Sequence, residues 1–418
     1  MKTSHFVPKF ILPMTAECPR TAEMREFRQG LAENTAKMSH KSRKLGKATC
    51  WVPRSSFFVG DRRGERALAR RTTNEEQRTR NVPAHRSPLP SPAMSCQSGR
   101  LIFMPEPIIV LDQLRKTFGK TVAVDAVSLT VKQGEIFGFL GANGAGKTTT
   151  MKMLCGLMIP SSGHGSIAGE DIWKERYSIR RKFGYVAQKF SLYPELSVEE
   201  NLSFFAGASQ VPESEIAGRI TRLLTLTDLE AKRRAAAGSL SGGMKQLLAV
   251  ACALIHQPLL LFLDEPTAGL DPVHRQQMWD LLYDLSSDGT TIFVTTHYMD
   301  EAERCTELGF IHEGKLLAKS SPSKLKESFA SRLLELQLDP LMPGLKQLRS
   351  APGVLGVSLR SGRARLYAAD AGALLAEWQA RWPFPEIRLL DHRWVEPDME
   401  DVFKAYSQGY HQMLKPLS

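Results

Sequence analysis

The sequence predicts an α/β nucleotide-binding fold with an antiparallel β edge and a helical insert, followed by a small α+β domain. Three observations carry this. A glycine-rich turn, Gly141-Ala-Asn-Gly144-Ala-Gly146-Lys147-Thr148-Thr149, stands between the apolar run Ile136–Leu140 and the helix-forming stretch Thr150–Leu154. A second apolar run, Leu259–Leu263, ends in the paired carboxylates Asp264 and Glu265. Beyond residue 330 the apolar and turn residues follow a β-α-β-β-α-β order.

Strand, glycine turn and helix in that order suit a phosphate. The glycines let several backbone N–H groups turn onto one anion, and the helix begins where its own unpaired N–H groups face it. The GxxxxGK[ST] spacing assigns Lys147 to the β/γ-phosphates of a nucleotide and the Thr148 hydroxyl to Mg2+, with Gly141, Asn143, Gly144, Ala145, Gly146 and Thr149 forming the rest of the nucleotide cradle.

The chain of 418 residues carries a net charge of +11, but the excess is local. Residues 1–103 hold 20 Lys and Arg against 8 Asp and Glu, a net of +12, and the remainder holds 35 against 36, a net of −1. The first 103 residues are rich in Arg, Ser, Pro and Thr, and such composition buries too little apolar surface to offset its ordering entropy. They read as a basic, disordered extension or as a start placed too early, with Met94 or Met104 as the alternative initiators. A nucleic-acid or lipid-binding arm is the competing reading; the eight acidic residues argue against a transit peptide. Six cysteines without a CxxC pair predict free thiols in a reducing compartment. The longest apolar run, Leu247–Ile255, is far short of a bilayer span, so any membrane crossing falls to another polypeptide.

From Ile108 onward, Ile108–Leu111, Val122–Val131 and Ile136–Leu140 predict strands, with Phe118-Gly119-Lys120 as a turn. Phe118 is placed either to stack on adenine or to cover the core. Ser161–Gly165 predicts a tight turn, Ser166–Ala168 a short strand, and Arg181–Gln188 a strand ending in a polar amide. Residues 197–235 are helical in pattern, opened by a capping box of Ser197 and Glu200. A helix follows over Met244–His256. Leu259–Leu263 then reads as a parallel strand buried on both faces, its tip toward the ligand. There Asp264 is placed to hold Mg2+ through water and Glu265 to polarise an attacking water. Thr290–Thr296 is another such strand, and His297 at its tip is placed to contact the γ-phosphate.

With these residues in order, the chain resembles the ATP-binding subunit of an ABC transporter over about residues 106–325. The specific element is Leu240-Ser241-Gly242-Gly243, about twenty residues before the Asp-Glu strand. Gln188 resembles the Q-loop glutamine, Gly269-Leu270-Asp271 the D-loop and His297 the switch histidine. The resemblance implies a RecA-like P-loop NTPase core. It also implies a head-to-tail dimer in which Ser241, Gly242, Gly243 and Asp271 meet the ATP of a second cassette. Lys147, Gln188, Glu265 and His297 act as the catalytic set, and Thr148, Gln188 and Asp264 as the Mg2+ set. Met244 stands where Gln is common in the family. With Thr296–Arg304 and Glu396–Phe403 it is similar to the drug-resistance (daunorubicin-type) exporter branch.

The implied function is ATP hydrolysis driving export through a separate polytopic permease, at the cytoplasmic face of the membrane. Phe190 and Leu192 are either a docking site for that permease or packing of the insert. The C-terminal elements, Leu333–Leu338, Leu341–Arg349, Val354–Leu359, Ala364–Ala368, Ala371–Trp382 and Ile387–Leu390, predict a ferredoxin-like domain over 330–418 serving dimer packing or regulation. The alternative is a soluble ABC ATPase acting on ribosomes or nucleic acid. Neither the paired cassettes of the translation type nor the long coiled coils of the DNA-repair type occur here, so no nucleic-acid partner is expected. A small-molecule kinase leaves Leu240–Gly243 unexplained.

Overall fold

The computed structural model describes residues 95–97, 100–102, 106–188, 192–329 and 332–417. The chain divides into two units, Met1–Leu89 and Pro90–Ser418, and the described residues belong to the second. The reading of residues 1–103 therefore lies almost wholly outside the described residues. At its end it needs a correction: β1 (Ser95–Gln97) and β2 (Arg100–Ile102) pair antiparallel. That pairing uses backbone groups every residue carries, which composition does not register.

β3 (Pro107–Phe118) and β4 (Thr121–Lys132) form the expected antiparallel edge. β3 runs well past Leu111, because a bulge around Gln113, at φ 49°, carries it through polar residues that break the alternation. β5 (Ile136–Leu140) leads through the glycine turn into α1 (Lys147–Leu154). The turn expected at Ser161–Gly165 is instead part of β6 (Ser162–Ile167), which pairs with β3 and with β7 (Glu170–Asp171). Its glycines permit close approach: a Cβ on Gly165 would lie 2.8 Å from Ile172 and 2.9 Å from Leu111.

β8 (Phe183–Val186) precedes the insert, which is two helices, α2 (Val198–Ala208) and α3 (Glu213–Leu226), rather than one continuous helical stretch. Ser197 and Glu200 form the capping box. Leu192 is partly buried against the apolar cluster that holds Val198, Leu202 and Leu224, which favours packing for that residue, whereas Phe190 lies outside the described residues. α4 (Gly242–Leu254), β9 (Leu260–Asp264), α5 (Pro272–Ser287), β10 (Thr291–Thr296), β11 (Glu307–His312), β12 (Lys315–Ser320) and α6 (Pro322–Glu327) complete the first lobe.

The central sheet has the order β12-β11-β5-β10-β9-β8, all parallel except β12. Alternation sorts its side chains onto two covered faces. Phe137, Phe139, Phe262 and Phe293 join the cluster beneath the antiparallel sheet, with the Phe137–Phe293 and Phe139–Phe293 rings 5.2 and 5.6 Å apart. Ile136, Leu140, Leu261, Leu263, Ile292 and Val294 face α4 and α5, where Trp279 is fully buried. At about 1.5–3 kcal/mol per buried large apolar side chain, this core fixes where the strand tips stand. Cys155, Cys252 and Cys305 are free and buried. Among the described residues no helix is long and apolar enough to cross a membrane.

The second lobe runs β13 (Leu333–Asp339), α7 (Leu341–Arg349), β14 (Val354–Arg360), β15 (Arg363–Ala368), α8 (Ala371–Ala380) and β16 (Arg388–Val395). Its antiparallel order, β14-β15-β13-β16, is that of a split βαβ domain. The final helix, α9 (Met399–Ser407), leaves this lobe: Met399, Val402 and Ala405 join the first lobe's core, and Phe403 meets Phe310 edge-on at 5.3 Å. Its capping box of Asp398 and Asp401 is tied back to the sheet by Arg365, which also pairs with the buried Glu335 at 2.9 Å. Burial would raise the Glu335 carboxyl, but the guanidiniums of Arg393 and Arg365 outweigh it and hold it below the usual range.

Candidate functional site

The candidate side chains lie at or just beyond the C-terminal ends of the parallel strands. The phosphate loop leaves β5, with Gly144 at φ 81° and Gly146 at φ 109°, backbone that an L side chain adopts only at a cost. Gly141 and Gly146 are also hemmed in: a Cβ on the first would collide with the Ile311 carbonyl, and on the second would lie 2.6 Å from Ala123 O. Ala145 is buried, and its carbonyl accepts from Gly314 N at 3.0 Å, which ties the loop to the β11–β12 turn. Asn143 and Gly144 are exposed at the open side, and Thr149 is half-buried in the first turn of α1.

Lys147 is only 5% exposed, and its Nζ donates to Gly141 O at 2.7 Å and Ala142 O at 3.2 Å. It also stands 3.3 Å from Glu265 Oε1. The second carboxylate oxygen of Glu265 accepts from Gln188 Nε2 at 3.0 Å and lies 3.3 Å from His297 Nδ1. Three predicted residues from three separate elements thus converge on one carboxylate. Glu265 itself sits at φ 50°, a conformation costing about 1–2 kcal/mol for a non-glycine residue, secured because its N–H donates to both Thr295 O and Thr295 Oγ1 at 3.1 Å. His297 Nδ1 is buried without an aligned hydrogen bond, a polar atom awaiting a partner.

Asp264, 2% exposed, accepts from Thr148 Oγ1 at 3.2 Å and from Thr295 Oγ1 at 2.7 Å. A hydroxyl and a carboxylate side by side offer a Mg2+ ion the hard oxygen ligands it takes, and this ion is usually bound by one or two carboxylates together with phosphate oxygens. The donor set present therefore fits Mg2+ with a nucleotide. Thr295 was not anticipated from the sequence; its signal is the register that sets it opposite Asp264 on the neighbouring strand.

The Leu240–Gly243 turn makes none of these contacts and bonds elsewhere. Ser241 caps α4 by accepting from Met244 N at 3.2 Å, and Gly242 is open on all sides. Gly243 is required because a Cβ there would collide with the His274 ring. His274 in turn pairs with Asp271 Oδ2 at 2.5 Å and approaches Ser241 Oγ at 3.5 Å, so the turn and the Asp271 loop form one surface. The Asp271 carboxyl is held below the usual range, first by the His274 N–H and then by the His274 ring. Among the described residues none of Ser241, Asp271 and His274 makes a side-chain hydrogen bond to the phosphate loop. His274, like Thr295, was missed. Phe118 is 48% exposed, with Lys116 Nζ 5.2 Å from its ring, so it does not cover the core.

Residues 124–268 match the family described as ABC transporter. Over 302 residues the chain is 39% identical to the Nod factor export ATP-binding protein I of Ralstonia nicotianae, covering 71% of this chain and 92% of that one. It is 44% identical over 237 residues to the probable multidrug ABC transporter ATP-binding protein YbhF of Escherichia coli, covering 57% of this chain but only 40% of that longer protein. Among solved structures, the cbiO1 subunit of Clostridium perfringens, part of an ABC transporter complex, superposes with a TM-score of 0.50 at 31% identity, over 52% of this chain and 90% of that one.

Proposed function

The chain belongs to the ATP-binding proteins of ABC transporters, and from that premise we propose that it is the ATP-hydrolysing subunit of an exporter. The observation that carries the proposal is the convergence of Lys147, Gln188 and His297 on the Glu265 carboxylate at the tip of β9. A carboxylate held in that position orients a water for attack on the γ-phosphorus. The new phosphorus–oxygen bond forms as the bond to the β–γ bridging oxygen breaks, and ADP and phosphate leave.

Catalysis here is positioning and charge stabilisation. The loop N–H groups and the α1 dipole receive the phosphates, and Lys147 exchanges its contacts to Gly141 and Ala142 carbonyls for phosphate oxygens. Thr148 and Asp264, with Gln188 beside them, would hold Mg2+, and the ion would supply charge neutralisation for the phosphates. His297 Nδ1, left without an aligned bond, is available as the γ-phosphate contact. Phe118, exposed, is available to stack on adenine.

Each site is half-built within one chain. Ser241 and Gly242 are exposed at the N-terminus of α4 and, with the backbone of Gly243 and with Asp271, face the ATP of a second cassette, so two nucleotides are shared between two chains. Loss of the γ-phosphate removes the shared contacts and the pair opens. A separate polytopic permease at the membrane is the partner that this opening drives. Relatives named for multidrug and Nod factor export support the outward direction.

Glu265→Gln tests the reading: it should bind ATP, hydrolyse it at least about a hundredfold more slowly than the unaltered chain, and accumulate as an ATP-held pair. Hydrolysis at the unaltered rate would remove Glu265 from this role.

A further inference from the structure

We infer that Glu301, a buried acid the proposed reaction does not use, is a positioning residue: its carboxylate ties the turn that carries His297 to the loop that leaves Glu265. This role rests on reading Glu265 and His297 as the groups that orient the water and contact the γ-phosphate. Glu301 lies in the short helix Met299–Ala302 that follows β10, and it is fully buried. A buried carboxylate is costly to desolvate unless its oxygens are bonded, and an apolar side chain of similar size would pack there at less cost. Its partners show what an acid does there that an apolar side chain cannot.

Each carboxylate oxygen takes one hydroxyl. Oε1 accepts from Thr267 Oγ1 at 2.5 Å and Oε2 accepts from Thr296 Oγ1 at 2.7 Å, and both threonines are only 1% exposed. Thr296 is the last residue of β10, next to His297, and its hydroxyl also accepts from Tyr298 N at 2.9 Å. One hydroxyl thus spans the histidine, joined to the residue after it and to Glu301. The Tyr298 ring lies 4.1 Å from the His297 ring, so fixing Tyr298 limits where the imidazole can stand. On the other side, Thr267 is two residues beyond Glu265. Glu265 O accepts from Ala268 N at 3.2 Å, so Thr267 sits inside the turn that opens at Glu265. Arg275, near the start of α5, brings positive charge to the junction: its Nε stands 3.8 Å from Glu301 Oε1, and its guanidinium lies 4.8 Å from the Tyr298 ring.

The parallel ladder between β9 and β10 ends at the pair Asp264 and Thr295. Beyond it, the 3.3 Å approach of His297 Nδ1 to Glu265 depends on ties made by side chains and turns, and Glu301 reaches both sides at once. A glutamine at this position would keep the shape but offer one accepting oxygen in place of two, with an N–H group where the other stood. One hydroxyl must then turn its oxygen to that N–H, and its own proton loses its partner in a buried site. At Thr296 the same oxygen already serves Tyr298 N, so the turn carrying His297 is the side that gives.

Glu301→Gln in the full chain is tested by two readouts. ATP affinity in EDTA should be unaltered, while hydrolysis at saturating MgATP should slow about tenfold or more, a change in kcat with KM little affected. The second readout needs no hydrolysis: the imidazole resonance of His297 in the nucleotide-free chain carrying isotope-labelled histidine, identified by its loss in His297→Gln. It should shift in Glu301→Gln and in Thr296→Val, and Thr296→Ser, which restores the hydroxyl, should return the resonance and most of the rate. The resonance of His256, bonded to the Phe183 carbonyl at the opposite end of the parallel strands, should stay in place in every variant, which separates a local displacement from general loosening. Where Glu301→Gln does not fold, Thr296→Val against Thr296→Ser decides by the same two readouts. Unaltered kcat in a folded Glu301→Gln chain, or a His297 resonance unmoved by both Glu301→Gln and Thr296→Val, would overturn the proposal. Hydrolysis at the unaltered rate in Glu265→Gln counts against the nucleotide reading, and the His297 resonance then decides the positioning by itself.

Discussion

Replacing Thr295 by Val removes one hydroxyl from the site and keeps its volume. That hydroxyl donates to Asp264 Oδ1 at 2.7 Å and accepts from Glu265 N at 3.1 Å, inside a strand with no exposed surface at this position. The Glu265 N–H keeps the Thr295 carbonyl as a partner, so its loss is small. Asp264 keeps only the longer bond from Thr148 Oγ1 at 3.2 Å among the side-chain donors described. A hydrogen bond to a charged group contributes about 1.5–3 kcal/mol, so a loss of about 2 kcal/mol is expected. Expressed wholly in the transition state, that is about thirtyfold in the rate of hydrolysis at saturating MgATP. The assay is steady-state phosphate release alongside ATP binding measured in EDTA. The rate should fall while metal-free ATP affinity stays unchanged, and Thr295→Ser should recover most of the rate. A Thr295→Val chain with unaltered hydrolysis would refute the view that this hydroxyl positions the metal-binding carboxylate.

Two further outcomes follow from the same geometry. Gly243→Ala forces a methyl group into the His274 ring, an overpacking that costs about 1–3 kcal/mol. ATP binding by a single chain should survive, ATP-dependent pairing should weaken, and adding His274→Ala should restore part of it, all readable by sedimentation. Burial holds the His256 imidazole below its ordinary value of 6.5, and its Nε2 must donate to the Phe183 carbonyl at 3.0 Å because a carbonyl only accepts. A histidine neutral in the folded chain contributes stability that is fully present above the unfolded pKa and is lost as pH falls below it toward the lowered folded value. Acidifying from neutral to about pH 5.5 should therefore lower the melting temperature less in His256→Gln than in the unaltered chain.

Much of the candidate site was legible because the residues that suit a phosphate lie close together in sequence. The loop Gly141–Thr149, the Asp264-Glu265 pair and His297 each announce themselves beside an apolar strand, and the structure brings them to the C-terminal ends of the parallel strands. Thr295 and His274 were not legible. Their partners, Asp264 and Gly243, are 31 residues away in the first case and on another helix in the second, so only tertiary register shows them. The glycines of Ser161–Gly165 were misread for a related reason: they mark close approach between strands, which in one dimension looks like a turn. The second half of β16 escaped notice because Asp391, His392 and Arg393 lack the apolar alternation of a strand with a covered face. Its ladder to β13, not its side chains, makes it a strand.

The claim at the centre is that each ATP is held between two chains, by the phosphate loop of one and Ser241–Gly243 of the other. The most direct measurement is sedimentation at sub-micromolar concentration of Glu265→Gln with and without an added Ser241→Arg, each in the presence and absence of MgATP. Expected is an ATP-dependent pair for Glu265→Gln alone, and for the double variant ATP binding of equal affinity with no ATP-dependent pair. An ATP-dependent pair that persists with Ser241→Arg would contradict the shared site.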